Sequence, residues 1–460
     1  MENEDNDIKI ENEKDERETA KKSHSKKILI VVLFIFMAAA GTYFGINGGD
    51  TEKMAETALK IKAAVLQLGK NGGQRQVSQA GSESSSSAEA SSSSSAASSQ
   101  ASSSSGDSQK NAITFESTSR SIFEPGKKGF FHFSKDGAKF YDYSKKQIWN
   151  STYTMSSVFA VSKGEYTALG ETQGRNIKFY TSAGEVYSLT TEGNITDIYV
   201  CETGEISVIM KCNDEYRIQV YSADGQLEFE RYEQDDGVYP IKSALSSDGK
   251  ILAVSYVDTE KIEIESKILL FYKDRNDSKN SDTGDFFAAV EKKGEIVPMA
   301  SYSAKGKFIF IGDSEVFSVG TDGKEGFSTE IGNKIDRAAF TAEGLPVLAM
   351  GDELSGKEGV AKGSILFFDE KGNASTSYEM GQAVSYLKSY SSGVIAGSLN
   401  KYCMLGNSGK VQWQYSAVSD ISDIIPLEGS NVLMVTNSSA DVINIRKAEK
   451  AEEASSSEGE

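Results

Sequence analysis

The sequence predicts an all-β domain over residues 112–446, because one short pattern recurs there about eight times. Each copy is an apolar or aromatic strand that is usually followed four residues later by a glycine, as at 177–180 before Gly184 and 218–221 before Gly225. The copies are about 36 to about 50 residues apart, which is the period of four-stranded blades stacked radially. The 20 Tyr and 22 Phe residues agree with a strand-rich chain. We therefore predict a β-propeller of about eight four-stranded blades.

The number of blades follows from the third strand of each repeat. Eight such strands are centred near residues 141, 179, 220, 270, 317, 367, 403 and 444. The last repeat, 421–445, has no outer strand of its own, and residues 112–115 are placed to supply it and to close the ring. Seven blades are the alternative, because the first repeat, 122–153, is irregular.

The segment before the repeats begins with a charged head, residues 1–27, and an apolar run, residues 28–46. At 1.5 Å per residue the run matches the roughly 30 Å of a bilayer's hydrocarbon core. Four lysines precede it directly: Lys21, Lys22, Lys26 and Lys27. The positive-inside rule then predicts a single transmembrane helix with a cytoplasmic N-terminus and an extracellular propeller. A cleaved signal peptide, with 38–40 as the cleavage signal, is the alternative.

Three more segments differ in composition from the repeats. Residues 47–70 carry an apolar stripe at spacings of four and three, which predicts a juxtamembrane helix. Residues 71–111 are rich in Ser, Ala, Gly and Gln, a composition typical of a disordered, flexible linker without a packed core. Residues 447–460 predict a disordered acidic tail.

Charge and residue usage exclude several classes of function. The net charge of -18 and the pI near 4.8 argue against nucleic acid as a partner, since phosphate binding needs clustered Lys and Arg. His132 is the only histidine outside the charged head, so neither a histidine metal cluster nor a Ser-His-Asp triad is expected. The sequence therefore predicts no catalytic residue and no cofactor.

The three cysteines do not form a disulfide framework. A hairpin turn at 203–204 would place Cys201 opposite Ile206 and Cys212 opposite Ile195, with the two sulfurs beyond disulfide reach. We predict that the cysteines are small packing residues and that stability comes from the core.

One loop after the fourth blade's third strand fits a calcium-binding template. Positions 1, 3, 5, 7, 9 and 12 of that template would be Asp274, Asn276, Ser278, Asn280, Asp282 and Asp285. Lys279 stands where the template has its sharp-turn glycine, and Asp285 stands in place of glutamate. A solvated insertion explains the composition equally well. Phe286 and Phe287, which follow the loop, are predicted to lie in the core.

Two other long loops, Asp235–Gly237 and Gly351–Gly363, are candidates for a rim that faces a partner. Propellers usually recognise ligands with the loops at one end of the channel.

Several motifs resemble known propellers. Residues 246–254 resemble the Ser-Pro-Asp-Gly-Lys turn of TolB-like and WD40-like propellers, with Ser247 where proline is usual. Residues 407–413, and less closely 147–149, are similar to the turn-plus-tryptophan repeat of quinoprotein-like propellers, which implies that Trp413 and Trp149 dock between blades. The adjacent cysteine pair of active quinoprotein dehydrogenases is missing from the sequence. The overall plan resembles an uncharacterised clostridial family of membrane-anchored propeller proteins, and that family has no assigned activity to carry over.

These observations favour a non-catalytic binding or scaffolding module in the cell envelope. The predicted partners are the lipid bilayer through residues 28–46, and an envelope protein or a cell-wall glycan at the propeller loops. The alternative is an extracellular hydrolase or lyase that uses acidic residues in the channel. Two or three carboxylates converging there with raised pKa values would favour the alternative.

Overall fold

In the computed structural model, residues 112–117, 120–234, 237–274, 286–351 and 363–446 are described. The predicted head, span, juxtamembrane helix, linker and tail lie outside these ranges. None of the described residues belongs to a helix that is long and apolar enough to cross a bilayer.

The described residues form eight four-stranded antiparallel sheets, which are the blades of a propeller. Blade 1 contains β2 to β5 (Ile122–Gly126, Gly129–Ser134, Gly137–Asp142, Gln147–Thr152), and blade 2 contains β6 to β9 (Val158–Lys163, Tyr166–Glu171, Asn176–Thr181, Gly184–Thr190). Blade 3 contains β10 to β13 (Asn194–Val200, Ile206–Lys211, Glu215–Tyr221, Leu227–Gln234), and blade 4 contains β14 to β17 (Val238–Leu245, Ile251–Asp258, Glu265–Tyr272, Ala288–Lys293).

The other half of the ring follows the same order. Blade 5 contains β18 to β21 (Met299–Tyr302, Lys307–Ile311, Glu315–Gly320, Glu325–Glu330), and blade 6 contains β22 to β25 (Ile335–Phe340, Pro346–Gly351, Gly363–Phe368, Ala374–Met380). Blade 7 contains β26 to β29 (Tyr386–Tyr390, Gly393–Ser398, Lys401–Leu405, Val411–Ser416), and blade 8 contains β30 to β32 (Asp423–Pro426, Asn431–Val435, Ser439–Asn444) together with β1 (Ile113–Thr114).

The first residues of the domain close the ring, as the sequence predicts. Ile113 pairs with Ala440 and Thr114 pairs with Ser439, so that β1 is the outer strand of blade 8. The first repeat is a regular four-stranded blade in which β2 to β5 pair in chain order. The eight-bladed prediction is therefore confirmed, and the seven-bladed alternative is wrong.

The recurring glycine has a backbone role. Gly225 has a φ of 85°, and its N–H donates to the Ser222 carbonyl at 2.9 Å. A Cβ at this position would lie 2.8 Å from the Tyr187 ring of the preceding blade. Six blades also shift register between their third and fourth strands, and in five of them the shift lies next to this turn. Glycine thus permits both the left-handed turn and the close approach of two blades.

The propeller has an upper and a lower face, which are distinguished by the direction of the strands. The upper face is where the inner strands begin, and it contains the connections between blades and the turns between second and third strands. The lower face contains the remaining turns. Because β32 runs from the upper to the lower face, the described chain ends at Arg446 on the lower face, and β1 approaches the upper face antiparallel to β32.

Side chains between blades form the core, and the two tryptophans belong to it. Trp149 of blade 1 donates its Nε1–H to the Ser182 carbonyl of blade 2 at 2.9 Å and stacks 5.8 Å from the Tyr180 ring. Trp413 of blade 7 packs against the apolar cluster that joins blades 7, 8 and 1. The predicted docking of both tryptophans between blades is confirmed.

The residues after the calcium-like loop also reach the core. Phe287 stacks on Tyr272 with ring centroids 4.1 Å apart, and Phe286 meets Phe271 edge-on at 6.5 Å. Both rings pack against core clusters, and each keeps part of its surface exposed.

The cysteines are free, as predicted: Cys201, Cys212 and Cys403. The predicted register around Cys201 is wrong, because Ile206 pairs with Val200 and Ile195 pairs with Met210. A longer turn and a bulge after Ile195 account for the shift.

Candidate functional site

The inner strands of blades 7, 8 and 1 carry a group of polar side chains where the ring closes. We name it the closure cluster: Glu124, Tyr386, Lys388, Tyr390 and Asp423. Glu124 lies on β2, Lys388 on β26 and Asp423 on β30, and β2 and β30 are neighbours across the closure. Three consecutive blades therefore contribute to a single cluster.

Lys388 is the centre of the cluster. Its Nζ donates to Asp423 Oδ2 at 2.9 Å and to Glu124 Oε1 at 3.2 Å. The Tyr386 hydroxyl donates to Asp423 Oδ1 at 2.6 Å, and the Tyr390 hydroxyl donates to the Ile424 carbonyl at 2.7 Å. One ammonium thus joins two carboxylates from different blades, and the Tyr386 hydroxyl holds the Asp423 carboxylate in place while Tyr390 bonds to the backbone beside it.

Burial and neighbouring charges shift the pKa values of Glu124 and Lys388. Burial raises the pKa of Glu124, while Lys388 acts in the opposite direction and Asp423 adds to the rise. Burial alone would lower the pKa of Lys388, but the charges of Asp423 and Glu124 outweigh it, so the net shift is upward. The ammonium is therefore firmly protonated at neutral pH.

The closure cluster meets part of the criterion for the hydrolase alternative. Glu124 and Asp423 converge in the channel wall, and burial raises the pKa of one of them. However, the Lys388 ammonium lies between them and bonds to both, and their side chains are nearly buried. Both carboxyl groups are thus engaged by one buried ammonium, which is an arrangement that joins strands of three blades and leaves neither group free to meet a substrate.

One contact between opposite blades crosses the lower end of the channel. Lys163 ends the inner strand of blade 2, and its Nζ donates to the Ala342 carbonyl of blade 6 at 3.2 Å. Blades 2 and 6 are opposite each other in a ring of eight. Lys163 also pairs with Glu202 of blade 3 at 3.4 Å. The Lys163 side chain therefore spans the channel at its lower end.

A pair of carboxyl groups lies on the upper face between blades 4 and 5. Glu295 precedes β18, and Asp313 lies in the turn between β19 and β20. The Ser314 N–H donates to Glu295 Oε2 at 3.2 Å, and the Ile296 N–H donates to Asp313 Oδ1 at 3.1 Å. Burial raises the pKa of Glu295 to about 7, and the contact with Asp313 acts in the same direction.

Glu295 should make the stability of the propeller depend on pH. Its folded pKa of about 7 exceeds the ordinary 4.5, so its contribution is fully present below pH 4.5 and is lost as pH rises through 7. Glu295→Gln should equal the wild type at pH 4.5 and exceed it at pH 8 by about 1–2 kcal/mol, after allowing for solvent screening. Urea unfolding at both pH values measures this difference. The exposed Glu330→Gln is the matched control, and an identical pH dependence in wild type and Glu295→Gln would contradict the assignment.

The upper face also carries the most exposed large apolar side chains of the described residues. Val418, Ile262 and Leu399 are 95%, 91% and 72% exposed. Ile262 lies between β15 and β16, Leu399 between β27 and β28, and Val418 between β29 and β30, which are all connections on this face. The remaining exposed apolar residues lie on the outer strands of blades 1, 2 and 3.

Leu399 and Val418 are held near each other by two hydrogen bonds between their neighbours, Asn400 and Ala417. The Ala417 N–H donates to the Asn400 carbonyl at 2.7 Å, and Asn400 Nδ2 donates back to the Ala417 carbonyl at 3.4 Å. Leu399 has a φ of 51°, a left-handed conformation that costs a residue other than glycine roughly 1–2 kcal/mol. A strained leucine exposed to water gains nothing from folding, which is typical of a residue that serves a contact.

The predicted calcium loop falls mostly outside the described residues. Of its positions only Asp274 is described, beside a cleft of about 460 Å³ that Leu227, Glu228 and Lys273 also line. The Lys273 ammonium is paired with Glu205 and with Glu228. Elsewhere in the described ranges, no group of three or more His, Cys, Asp or Glu side chains is placed to hold a metal ion. The calcium site stays a prediction.

The two predicted rim loops begin and end on the upper face. Gly351 pairs with Gly363 there, and residues 352–362 between them lie outside the described residues. Residues 235–236 are outside them as well, while Gly237 is described and contacts the neighbouring hairpin. Ile262, Leu399 and Val418 are not among the residues predicted from the sequence.

Three comparisons with known proteins bear on this chain. Residues 102–445 match the model of a family described as "Family of unknown function (DUF5711)". No curated protein matches the chain. Among solved structures, BamB from Moraxella catarrhalis is 9% identical, with a TM-score of 0.44, over 72% of this chain and 99% of its own.

Two further solved structures are similar at the same level. Sqt1 from Chaetomium thermophilum is 12% identical with a TM-score of 0.46, over 69% of this chain and 93% of its own. Hydrazine synthase from Kuenenia stuttgartiensis is 10% identical with a TM-score of 0.41, over 64% of this chain and 93% of its own. At these identities the likeness does not bear on activity.

Proposed function

The chain belongs to the DUF5711 family, a family of unknown function, and on that premise we propose that it is a membrane-anchored, extracytoplasmic binding module. Its upper face contacts an envelope protein, and it catalyses no reaction. The observation that carries the proposal is the concentration of exposed aliphatic side chains on that face, one of them in a strained conformation.

The course of the chain supports the upper face as the binding surface. The predicted span, 28–46, and linker, 71–111, precede β1, which approaches the upper face from the lower side of blade 8. The predicted linker therefore joins the propeller at the lower side of blade 8 and not on the upper face. The lower end of the channel is also crossed by Lys163.

The kind of exposed side chain favours a protein partner over a glycan. Leu399, Val418 and Ile262 are aliphatic and form no hydrogen bonds through their side chains. A glycan presents hydroxyl groups, which lose hydrogen bonds to water when aliphatic groups cover them. An apolar protein surface loses none and gains about 25 cal/mol for each Å² of apolar area buried.

Leu399→Asn tests whether the leucine destabilises the fold while it contributes to binding. Asparagine tolerates a positive φ, so we expect the variant to be more stable than the wild type by about 0.5–1 kcal/mol. Leu227→Asn, at an exposed leucine on the outer strand β13, is the matched control and should give no gain. Urea unfolding followed by fluorescence of the two tryptophans measures both variants.

Binding is tested with a photo-cross-linking amino acid at position 418 of the full-length chain in its host cells. We expect a discrete adduct that falls at least fivefold when Leu399→Asn is added. The same label at Ile148, exposed on an outer strand, is the control. Equal adduct patterns at 148 and 418, or an adduct at 418 that does not respond to Leu399→Asn, would count against a binding face here.

A further inference from the structure

Blade 4 projects beyond its neighbours on the upper face. Its second strand, β15, has 8 residues, whereas the second strand has 6 in blade 3 and 5 in blade 5. At about 3.4 Å per residue the difference extends the hairpin by about 7–10 Å. The turn that follows, residues 259–264, is also longer than the turns 212–214 and 312–314 at the same place in the adjacent blades. Ile262 is at the end of this projection.

The projecting turn is held from both sides. The Thr259 N–H and hydroxyl both donate to the Gly237 carbonyl, at 2.8 and 2.9 Å, in the connection from blade 3. The Gly294 N–H donates to the Ile264 carbonyl at 2.8 Å, in the connection to blade 5. A turn fixed in this way loses little conformational entropy when a partner binds it.

The charges of the turn are distributed unevenly. The ammonium of Lys261 bonds to Glu265 at 2.6 Å and lies 4.0 Å from Asp258, so carboxylates at the base of the hairpin neutralise it. Glu260 and Glu263 are exposed on either side of Ile262. The tip therefore presents one aliphatic side chain, 91% exposed, between two carboxylates.

We propose that this turn inserts Ile262 into an apolar pocket of a protein partner whose rim carries Lys or Arg side chains. The inference rests on the proposed function and specifies the chemistry of the partner. An isoleucine fits an apolar pocket, and two flanking carboxylates match a basic rim in charge. Because the turn is held at both ends, it presents the isoleucine and the two carboxylates in a fixed geometry.

A photo-cross-linking amino acid at position 262 of the full-length chain in its host cells tests this contact. We expect one discrete adduct at 262 and none at Val186, which is exposed on an outer strand. Because the label replaces Ile262, the variants change the flanking carboxylates, Glu260 and Glu263, in the labelled chain. Glu260→Lys combined with Glu263→Lys should reduce the adduct at least tenfold, and the Gln pair should reduce it less. Glu343→Lys combined with Glu428→Lys, at exposed positions of the lower face, is the matched control.

Mass spectrometry of the adduct identifies the cross-linked segment of the partner, which should contain apolar residues with Lys or Arg close by. The inference is wrong if no adduct forms at 262, if the Lys pair leaves the adduct unchanged, or if the cross-linked segment is acidic. An adduct at 418 that depends on Leu399 would leave the proposed function standing in each of these cases. Loss of both adducts, with thermal unfolding unchanged, would reject the proposed function as well.

Discussion

Replacing Lys388 with methionine should destabilise the propeller by about 3–5 kcal/mol, because Glu124 and Asp423 are then left as uncompensated charges in the channel wall. Methionine keeps most of the apolar length of the lysine stem, so the lost ammonium and not a cavity determines the result. Urea unfolding at pH 7, followed by tryptophan fluorescence, measures the change. Lys401→Met, at an exposed lysine of the same blade, should change stability by less than about 0.5 kcal/mol.

Neutralising the carboxylates should rescue this variant. Adding Glu124→Gln and Asp423→Asn to Lys388→Met removes the buried charges while keeping groups that form hydrogen bonds, so most of the lost stability should return. The deficit of the single variant should also shrink as pH falls, because burial already raises the pKa of Glu124 and protonation removes its charge. A deficit that is independent of pH and persists in the triple variant would mean that packing, not charge, is responsible.

The ring could be predicted from the sequence because its determinants are local. A repeat of strand and glycine defines each blade, and the missing outer strand of 421–445 together with residues 112–115 indicates how the ring closes. The turn glycines adopt positive φ where the sequence places them, as at Gly184 and Gly409. A short pattern is sufficient for such features, since backbone conformation depends mainly on neighbouring residues.

The closure cluster could not be predicted in the same way. Lys388 and Glu124 are 264 residues apart, and Lys388 and Asp423 are 35 apart. Only the closed ring brings their strands together, and each charge alone looks like an ordinary surface residue. The same holds for the carboxyl pair of Glu295 and Asp313, which joins a connection between blades to a turn.

The sequence contains a partial signal for the exposed apolar residues. Leu399 and Asn400 form a two-residue turn between strands, where glycine or asparagine is usual at the first position. A leucine at that position strains the backbone and gains no burial from its immediate neighbours in the turn. Ile262 gave no such signal, because the alternation of Ile262, Glu263 and Ile264 reads as a continuing strand.

Replacing Trp149 with alanine should destabilise the propeller by about 3 kcal/mol, since this side chain joins blades 1 and 2. The loss combines stacking on Phe140 and Tyr180 with the hydrogen bond to the Ser182 carbonyl. Trp149→Phe keeps a ring between the blades but removes the N–H donor, so it should cost only about 1 kcal/mol. Urea unfolding followed by far-ultraviolet circular dichroism is the appropriate measurement, because Trp149 is itself one of the two fluorescent tryptophans.

Ile148→Ala provides the matched control for Trp149, because the two residues are adjacent on β5 and Ile148 is largely exposed. Its cost should be below about 0.5 kcal/mol. The comparison tests the inference drawn from the turn-plus-tryptophan motif, since both residues share the strand and only Trp149 contacts the next blade. If Trp149→Ala costs no more than Ile148→Ala, the tryptophan does not hold the two blades together. A large cost for Trp149→Ala with a small one for Trp149→Phe would assign the stabilisation to ring packing between blades, which is what the motif predicts.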